Sequence, residues 1–168
     1  MPSQKNPLQK QLEHQKFLHG ASYVQNSSGG LKKLTSSELA HLNQLITGSQ
    51  DEVWRLSPAE VQIPSGKKIQ FNVVNNPISR ARDIIGNASQ MASNQKVFEA
   101  AAYIYSQLVL EHLFTDANRR TAVLATLWIL SEYNQNIDVE KLLAIKIGDL
   151  RDQSSMENLA QRIQAIQD

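Results

Sequence analysis

Two stretches of this chain are apolar on nearly every side of a helix. They are residues 97–111 (VFEAAAYIYSQLVLE) and residues 122–130 (AVLATLWIL). A helix that is hydrophobic all round belongs inside a bundle, with other helices packed around it. The pattern therefore predicts an all-α fold with two central helices. A short, mostly polar segment connects them.

Helix-capping patterns predict the amphipathic helices around this pair. In each pattern, a side chain that can accept a hydrogen bond from a free backbone N–H precedes an apolar stripe. The first predicted helix starts at Thr35, which has Glu38 three residues on, and stops at Gly48. The second is opened by residues 75–77 (NNP) and ends near Met91. Asp138 is predicted to cap a helix over residues 139–150, and Ser154 with Glu157 a helix over residues 156–166. The chain as a whole is thus predicted to be a helical bundle.

One strand-like pattern interrupts the helices. Apolar and polar positions alternate in VQI (Val61, Gln62, Ile63) and in IQF (residues 69–71), and the PSGKK between them has turn chemistry. A hairpin by itself is marginally stable in water, so this one is expected to pack on helices. Just before it, Pro58 occupies a position that the start of a helix tolerates.

The first 30 residues differ in composition from the rest. They are rich in Gln, Lys, Ser and Asn and end in the flexible sequence NSSGG. We interpret residues 1–30 as a flexible N-terminal arm, within which residues 16–24 (KFLHGASYV) can dock, and residues 31–168 as the folded domain. An added, non-native tail is the alternative interpretation of the arm.

Composition narrows the class of protein. With 168 residues, 41% hydrophobic and 20% charged, the chain fits one globular domain. A formal net charge of +1 gives no electrostatic argument for nucleic acid. The chain contains no cysteine, which excludes disulfides and thiolate chemistry. This composition fits a reducing, cytoplasmic compartment, and delivery of the protein into another cell is the alternative. No apolar run reaches transmembrane length and the polar start has no signal-peptide core, so no membrane partner is expected.

The connection between the central helices reads HLFTDANRRTA, residues 112–122. Ala117 and Asn118 begin the second helix, where backbone N–H groups have no intrahelical partner and the helix dipole adds partial positive charge. Arg119 and Arg120 add two full charges at the same end. This concentration of positive charge is unfavourable alone and becomes favourable when an anion with several oxygens binds. The helix start is therefore predicted to bind phosphate, and a plain polar loop is the alternative.

The residues just before this helix suggest further chemistry. Phe114 has polar neighbours on both sides and is expected to point inward and fix the loop. Asp116 is either an ordinary N-cap or, beside bound phosphates, a ligand of Mg²⁺. His112 is either a structural group or a base that takes a proton from an attacking hydroxyl. The remaining histidines have no metal-ligand spacing.

HLFTDANRRTA closely resembles the signature of the Fic/Doc family. The common Fic form is His-Pro-Phe-x-Asp/Glu-Gly-Asn-Gly-Arg-x-x-Arg, and the Doc branch reads nearer to His-x-Phe-x-Asp-Ala-Asn-Lys-Arg-Thr. The residues that match both forms are His112, Phe114, Asp116, Asn118 and Arg120, and those that match the Doc branch are Ala117 and Thr121. In helix order the resemblance extends weakly over about residues 34–150 and leaves out the N-terminal arm.

The resemblance implies an all-helical core with one β-hairpin flap. It also implies transfer of part of a nucleotide, usually AMP from ATP, to a Ser, Thr or Tyr hydroxyl of a target protein. By the motif match, His112 is implied as the base and Asp116 as the Mg²⁺ ligand. The residues implied as the anion site and phosphate contacts are Ala117, Asn118, Arg119 and Arg120.

The predicted hairpin lies about where the flap of this family should lie. It therefore resembles the element that aligns a target segment by strand addition, with Val61, Gln62 and Ile63 as the docking strand. A plain packing hairpin is an equally weighted alternative.

Two departures from the common form bear on the reaction. Arg119 replaces the second Gly of the motif, and in the common form that Gly leaves room for the phosphate chain. Val123 stands where the last Arg would be. The Doc branch has Lys at the position of Arg119, and there ATP is thought to bind reversed, so that the γ-phosphoryl group is transferred. We therefore favour phosphoryl transfer slightly over AMP transfer. The guanidinium fork of Arg119 differs from the ammonium point charge of that Lys.

The sequence contains no match to the inhibitory pattern of many family members, Ser/Thr-x-x-x-Glu. No glutamate here has Ser or Thr four residues before it, and Val123 could not pair with such a glutamate. Restraint is thus expected from another chain, such as an antitoxin, with this protein as the toxin. A catalytically inactive module that binds a nucleotide or a protein is the alternative to an enzyme.

Overall fold

The computed structural model describes residues 5–29, 32–62, 65–146 and 150–167. Over these residues the chain forms seven helices and one two-stranded antiparallel sheet, which confirms the predicted all-α bundle with a small hairpin. In chain order the elements are α1 (Pro7–Ser28), α2 (Ser36–Thr47), β1 (Ala59–Gln62), β2 (Lys68–Phe71), α3 (Pro77–Ser93), α4 (Val97–Glu111), α5 (Asn118–Glu132), α6 (Val139–Ala144) and α7 (Gln153–Ala165). Among the helices described, none combines the length and the apolar character that crossing a membrane requires.

Helices α4 and α5 form the centre of the fold, as their sequences predict. They pack against each other; α3 and α7 pack on α4, and α1 and α2 pack on α5. Every residue from 121 to 130 is buried, and Trp128 and Ile104 have no exposed surface. Burying apolar surface contributes about 25 cal/mol per Å², so this pair is a major source of stability and a rigid base for the loop that connects it.

Three predicted helix starts are confirmed by their capping hydrogen bonds. The side chains of Thr35, Asn76 and Asp138 accept backbone N–H groups in the first turns of α2, α3 and α6. Gly48 ends α2 in the left-handed conformation, with φ 76°, where its own N–H donates to the Gln44 carbonyl.

Two boundaries near the C-terminus differ from the prediction. Asp152 rather than Ser154 caps α7, because its carboxylate accepts the Ser154 N–H at 3.1 Å and places Ser154 inside the first turn. Helix α6 ends at Ala144 rather than at residue 150. Ile145 is extended, with ψ 119°, and its carbonyl accepts a hydrogen bond from an arginine of α5 instead of continuing the helix.

The N-terminal segment was expected to be a flexible arm over residues 1–30, and among its described residues this expectation is wrong. Residues 7–28 form α1, which Asn6 opens with a capping box in which its side chain accepts the Gln9 N–H at 2.8 Å. The helix packs on α2 and α5. Its contact face is a narrow stripe at helical spacing, comprising Phe17, Gly20, Ala21 and Val24.

Docking of residues 16–24 is therefore confirmed, although as part of a helix. Gly20 permits the close approach, because a Cβ atom there would lie 2.8 Å from a methyl carbon of Leu124. Helix α1 is hard to predict from sequence because its many polar residues lower the average hydrophobicity and hide a stripe of four small or apolar positions.

The hairpin pairs β1 with β2, with Val61 opposite Ile69 and Ala59 opposite Phe71. Strand β1 begins at Ala59, so Pro58 precedes a strand and does not open a helix, as its position had suggested. Ile63 lies outside the described residues. The hairpin lies beside the end of α4, since the Phe71 ring stacks on the His112 ring.

Candidate active site

Backbone hydrogen bonds hold the HLFTDANRRTA segment to the chain that precedes β1. The Arg55 N–H donates to the Leu113 carbonyl at 2.8 Å, and the Thr115 N–H donates to the Val53 carbonyl at 3.0 Å. The two bonds form an antiparallel bridge centred on Trp54 and Phe114. The connection between the central helices is therefore an ordered, paired segment.

Phe114 points into the core, as predicted. Its side chain is 1% exposed and stacks on Trp54, with the ring centroids 4.7 Å apart. The Asn118 side chain holds the Phe114 backbone, because Oδ1 accepts the Phe114 N–H and Nδ2 donates to the Phe114 carbonyl, both at 2.9 Å. Because the oxygen and the nitrogen of this buried amide are both bonded to the loop backbone, Asn118 can contact an anion only through its own backbone N–H.

The start of α5 has no side-chain cap. Ala117 precedes the helix in the left-handed region, with φ 59°, so Asp116 is not the N-cap residue. Oδ1 of Asp116 accepts the neighbouring Ala117 N–H at 2.7 Å. Nδ2 of the buried Asn43 donates to the Asp116 carbonyl at 2.9 Å and to Oγ1 of Thr121 at 3.0 Å. The backbone is thus pinned from α2, while the first-turn N–H groups keep their capacity to bind an anion.

His112 ends α4 in the left-handed conformation, with φ 52°, and is half-buried. Its imidazole stacks on Phe71, with ring centroids 4.3 Å apart and ring planes at 18°. Burial and the positive charge of Arg55 lower the pKa of His112 below its ordinary value, and the charge of Asp116 partly opposes them. The ring is therefore neutral near pH 7, which is the state that can accept a proton.

The two arginines of the segment have different environments. Nη2 of Arg119 donates to the Leu143 carbonyl at 2.6 Å and to the Ile145 carbonyl at 3.1 Å, and its Nε donates to the Tyr105 hydroxyl at 3.2 Å. Nη1 of Arg120 is buried and has no hydrogen-bond partner among the described residues. A buried cationic donor without a partner is costly, so an anion that binds Arg120 restores a missing hydrogen bond.

These residues surround a pocket of about 630 Å³, within the range of small-molecule sites. The lining residues are Ala59, Glu60, Val61, His112, Thr115, Asp116, Ala117, Asn118, Arg119, Arg120 and Leu143. The fold thus brings the predicted base, metal ligand and phosphate contacts together with the first residue of the predicted docking strand. Gln62 is not part of the lining; its side chain donates to the Gly66 carbonyl at 3.4 Å.

Asp116 fits only one kind of metal site. Within the described ranges, no group of three or more His, Asp or Glu side chains could hold a metal ion. Asp116 itself is exposed and uses one carboxylate oxygen for the Ala117 N–H. Mg²⁺ commonly binds through one or two carboxylates together with substrate phosphates and water. Asp116 suits such a phosphate-dependent site and does not suit one made of protein ligands alone.

Sequence reasoning missed two residues that shape the site, Arg55 and Asn43. Arg55 is 4% exposed and its guanidinium donates to backbone carbonyls, including that of His112 at 2.6 Å. Its signal was one charged residue in the short apolar run VWRL. Asn43 is 2% exposed and lies one turn from Leu39 and Ile46, on the buried face of α2. A single amide on an apolar stripe was the signal there.

The fold and the pocket together define a helical domain in which a half-buried histidine and a helix start without a side-chain cap lie beside a two-stranded hairpin. The sequence profile of the Fic/DOC family matches residues 33–130, which is more than half of the chain. The chain therefore belongs to the Fic/DOC family, whose members typically transfer AMP or another group onto proteins and generally use ATP and Mg²⁺.

Solved structures of Fic domains share this fold. A Fic-domain-containing signalling protein from Bacteroides thetaiotaomicron VPI-5482 matches with a TM-score of 0.69 and 18% identity, over 96% of this chain and 73% of that one. The N-terminal Fic domain of a Bartonella effector protein matches with a TM-score of 0.58 and 16% identity, over 100% of this chain and 88% of that one. A fragment of Fic-1 from C. elegans matches with a TM-score of 0.58 and 18% identity; this chain is 98% covered and spans about half, 52%, of that fragment. No curated protein sequence matches the chain significantly.

Proposed function

We propose that this protein transfers a phosphoryl or an adenylyl group from ATP to a Ser, Thr or Tyr hydroxyl of a target protein, with phosphoryl transfer slightly favoured. The observation that carries the proposal is one pocket that contains His112, Asp116 and the first turn of α5. A neutral base, a carboxylate and an anion-binding helix start are the groups that such a transfer needs within reach of each other.

In the proposed reaction, the ring of His112 accepts the proton of the target hydroxyl while the hydroxyl oxygen attacks phosphorus. Attack on the γ-phosphorus breaks its bond to the β–γ bridging oxygen and releases ADP; attack on the α-phosphorus releases pyrophosphate. Arg120 and the first-turn N–H groups of α5 hold the phosphate oxygens and stabilise the charge that develops on them. Asp116 would hold Mg²⁺, which neutralises phosphate charge when it is bound.

The target segment is proposed to bind along β1. Strand β1 contributes Ala59, Glu60 and Val61 to the pocket wall, and within the described residues β2 is its only strand partner. An extended segment that pairs with the other edge of β1, beside Val61, Gln62 and Ile63, would place its hydroxyl side chain close to His112.

Arg119 supports the two reactions in different ways. It stands where the common form of the motif has Gly, so its side chain takes space from the phosphate chain, which supports reversed ATP and phosphoryl transfer. Its guanidinium, however, is engaged by the Leu143 and Ile145 carbonyls and by Tyr105. That engagement supports adenylyl transfer as the second candidate, because a guanidinium that is already hydrogen-bonded elsewhere does not act as the phosphate ligand that reversed ATP binding would use.

Parallel incubations of the protein and a cell extract with α-labelled and γ-labelled ATP and Mg²⁺ test the proposal. Label on protein from γ-labelled ATP alone indicates phosphoryl transfer, and label from α-labelled ATP alone indicates adenylyl transfer. His112→Ala should abolish labelling, whereas the matched control His19→Ala, at an exposed position of α1, should not. Equal labelling by His112→Ala would contradict the role of the base.

Calorimetry with ATP and Mg²⁺ separates the remaining outcomes. ATP binding without label transfer would indicate an inactive nucleotide-binding module. The absence of ATP binding would contradict the proposed function as a whole, because the pocket would then have another ligand.

We also propose that another chain, an antitoxin, restrains the protein in the cytoplasm. The support is the sequence itself, in which no glutamate follows Ser or Thr at four-residue spacing. Expression of the protein should arrest growth, and His112→Ala should remove the arrest while His19→Ala does not. Normal growth at high expression of the intact protein would contradict the toxin role.

A further inference from the structure

A single buried guanidinium, that of Arg55, joins three segments around His112. Its donors reach five backbone carbonyls, which are those of His112 at 2.6 Å, Ser57 at 2.6 Å, Asn72 at 2.9 Å, Phe71 at 3.2 Å and Glu111 at 3.4 Å. The carbonyls belong to the end of α4, the segment before β1 and the end of β2. The Arg55 backbone N–H also bonds Leu113, inside the motif.

This arrangement is not an ion pair. Among the described residues, no carboxylate lies within salt-bridge distance of Arg55, and burial lowers the pKa of its guanidinium. A buried guanidinium is costly to desolvate, and its hydrogen bonds offset that cost only while the five carbonyls keep the positions observed here. The geometry concerned is that of the His112 ring, since Arg55 holds both the His112 backbone and the Phe71 backbone whose ring stacks on it.

We propose that Arg55 is a positioning residue, which couples the hairpin to the catalytic base through one guanidinium. Nε fixes the carbonyl of His112 while Nη1 and Nη2 fix both ends of the hairpin, so the docking strand and the base move as one unit. Arg55 is not part of the pocket lining, so it acts through His112 and not on the nucleotide. This inference rests on the proposed function, because it takes His112 as the base.

Arg55→Lys is the main test, because it keeps a positive charge and loses the planar fork that reaches several carbonyls at once. At saturating ATP the rate of label transfer to protein should fall by about 100-fold, the loss expected for a base misplaced by about 1 Å. The Kd for ATP should stay unchanged, because the phosphate contacts on α5 are intact. Arg82→Lys is the matched control at an exposed position of α3, and it should change neither quantity.

A second readout does not depend on activity. Proton NMR of the histidine ring C–H signals at about pH 8, above the ordinary pKa of histidine, reports the ring-current effect of Phe71 on His112. The chain has four histidines, so His112→Ala assigns the signal. Arg55→Lys and Arg55→Gln should shift the His112 signal toward that of an unstacked ring, whereas Arg82→Lys should not.

The outcomes separate this inference from the proposed function. Loss of transfer together with a moved His112 signal and an unchanged Kd for ATP supports positioning. Thermal destabilisation with an unmoved His112 signal, or a moved signal with undiminished transfer, would overturn it and leave Arg55 a structural residue. If the unsubstituted protein transfers no label, the proposed function fails, and the NMR signal alone decides whether Arg55 positions His112.

Discussion

Replacing Asn118 with alanine tests whether this side chain closes the loop or serves the nucleotide. Asn118 is 6% exposed, and its amide bonds both the N–H and the carbonyl of Phe114 at 2.9 Å. Alanine removes both hydrogen bonds and leaves two backbone polar groups without those partners beneath a ring that is 1% exposed. We expect the variant to lose stability, whereas a residue that only contacts phosphate would leave stability unchanged.

The size of the effect follows from the two backbone groups. A lost hydrogen bond costs about 1 kcal/mol, and a buried group left unpaired costs about 1–3 kcal/mol. With some relaxation of the loop, two such groups lower the free energy of unfolding by about 2–4 kcal/mol. In a chain of this size each kcal/mol lowers the Tm by roughly 2–4 °C, so the Tm should fall by about 10 °C.

Urea denaturation followed by circular dichroism measures the change. Asn87→Ala is the matched control, because Asn87 is exposed on α3 and makes one hydrogen bond, to the Tyr103 hydroxyl at 3.0 Å. It should shift the free energy of unfolding by no more than about 0.5 kcal/mol. If Asn118→Ala unfolds at the same urea concentration as the parent but loses affinity for ATP, its side chain is a phosphate ligand and the reasoning is wrong.

Three further predictions concern packing, pH and ring stacking. Gly20→Ala should destabilise the fold by about 1–3 kcal/mol, because the new Cβ would lie 2.8 Å from a Leu124 methyl carbon. Gly86→Ala, with open space around the new Cβ, should stabilise the fold by about 0.5–1 kcal/mol. Urea denaturation of both variants measures the two changes. Transfer rates measured from pH 5 to 8 should decline with falling pH only below about pH 6.5, because burial lowers the pKa of His112 and a protonated ring cannot act as a base. A decline that begins above that pH would contradict the lowered pKa. Phe71→Ala removes the ring stacked at 4.3 Å on His112, so the transfer rate should drop with little change in the Kd for ATP, and a loss of ATP binding instead would contradict this role.

Periodicity and caps predicted most of the fold because they are local signals. The bounds of α4 and the starts of α2, α3 and α6 agree with the sequence, since each depends on residues within one or two turns. The predictions for the α1 segment and for the end of α6 were wrong for the same reason, because contacts with residues distant in the sequence determine both. The apolar stripe of α1 stabilises a helix only because it packs on α5. Helix α6 ends where Arg119 donates hydrogen bonds to the carbonyls of Leu143 and Ile145.

The candidate site shows the same division between local and distant determinants. The motif predicted which residues gather at the pocket, because the seven motif residues that line it belong to one short loop and one helix start. It could not predict that the Asn118 amide is used by Phe114, or that Arg55 and Asn43 hold the loop from other elements. Those contacts join residues 57 and 73 positions apart, and no spacing rule connects such pairs.

The contrast between the two motif arginines limits how a nucleotide can use them. Arg119 already donates to two carbonyls at the end of α6, a favourable place for a cation, and to the Tyr105 hydroxyl. A phosphate that drew Arg119 into the pocket would therefore break three hydrogen bonds and release the chain that follows Ala144. A phosphate that binds Arg120 breaks none in the described structure and supplies the partner that Nη1 lacks. We therefore expect Arg120 to be the first anion contact, and we expect Arg119 to orient the triphosphate only if the new contacts outweigh the bonds it gives up.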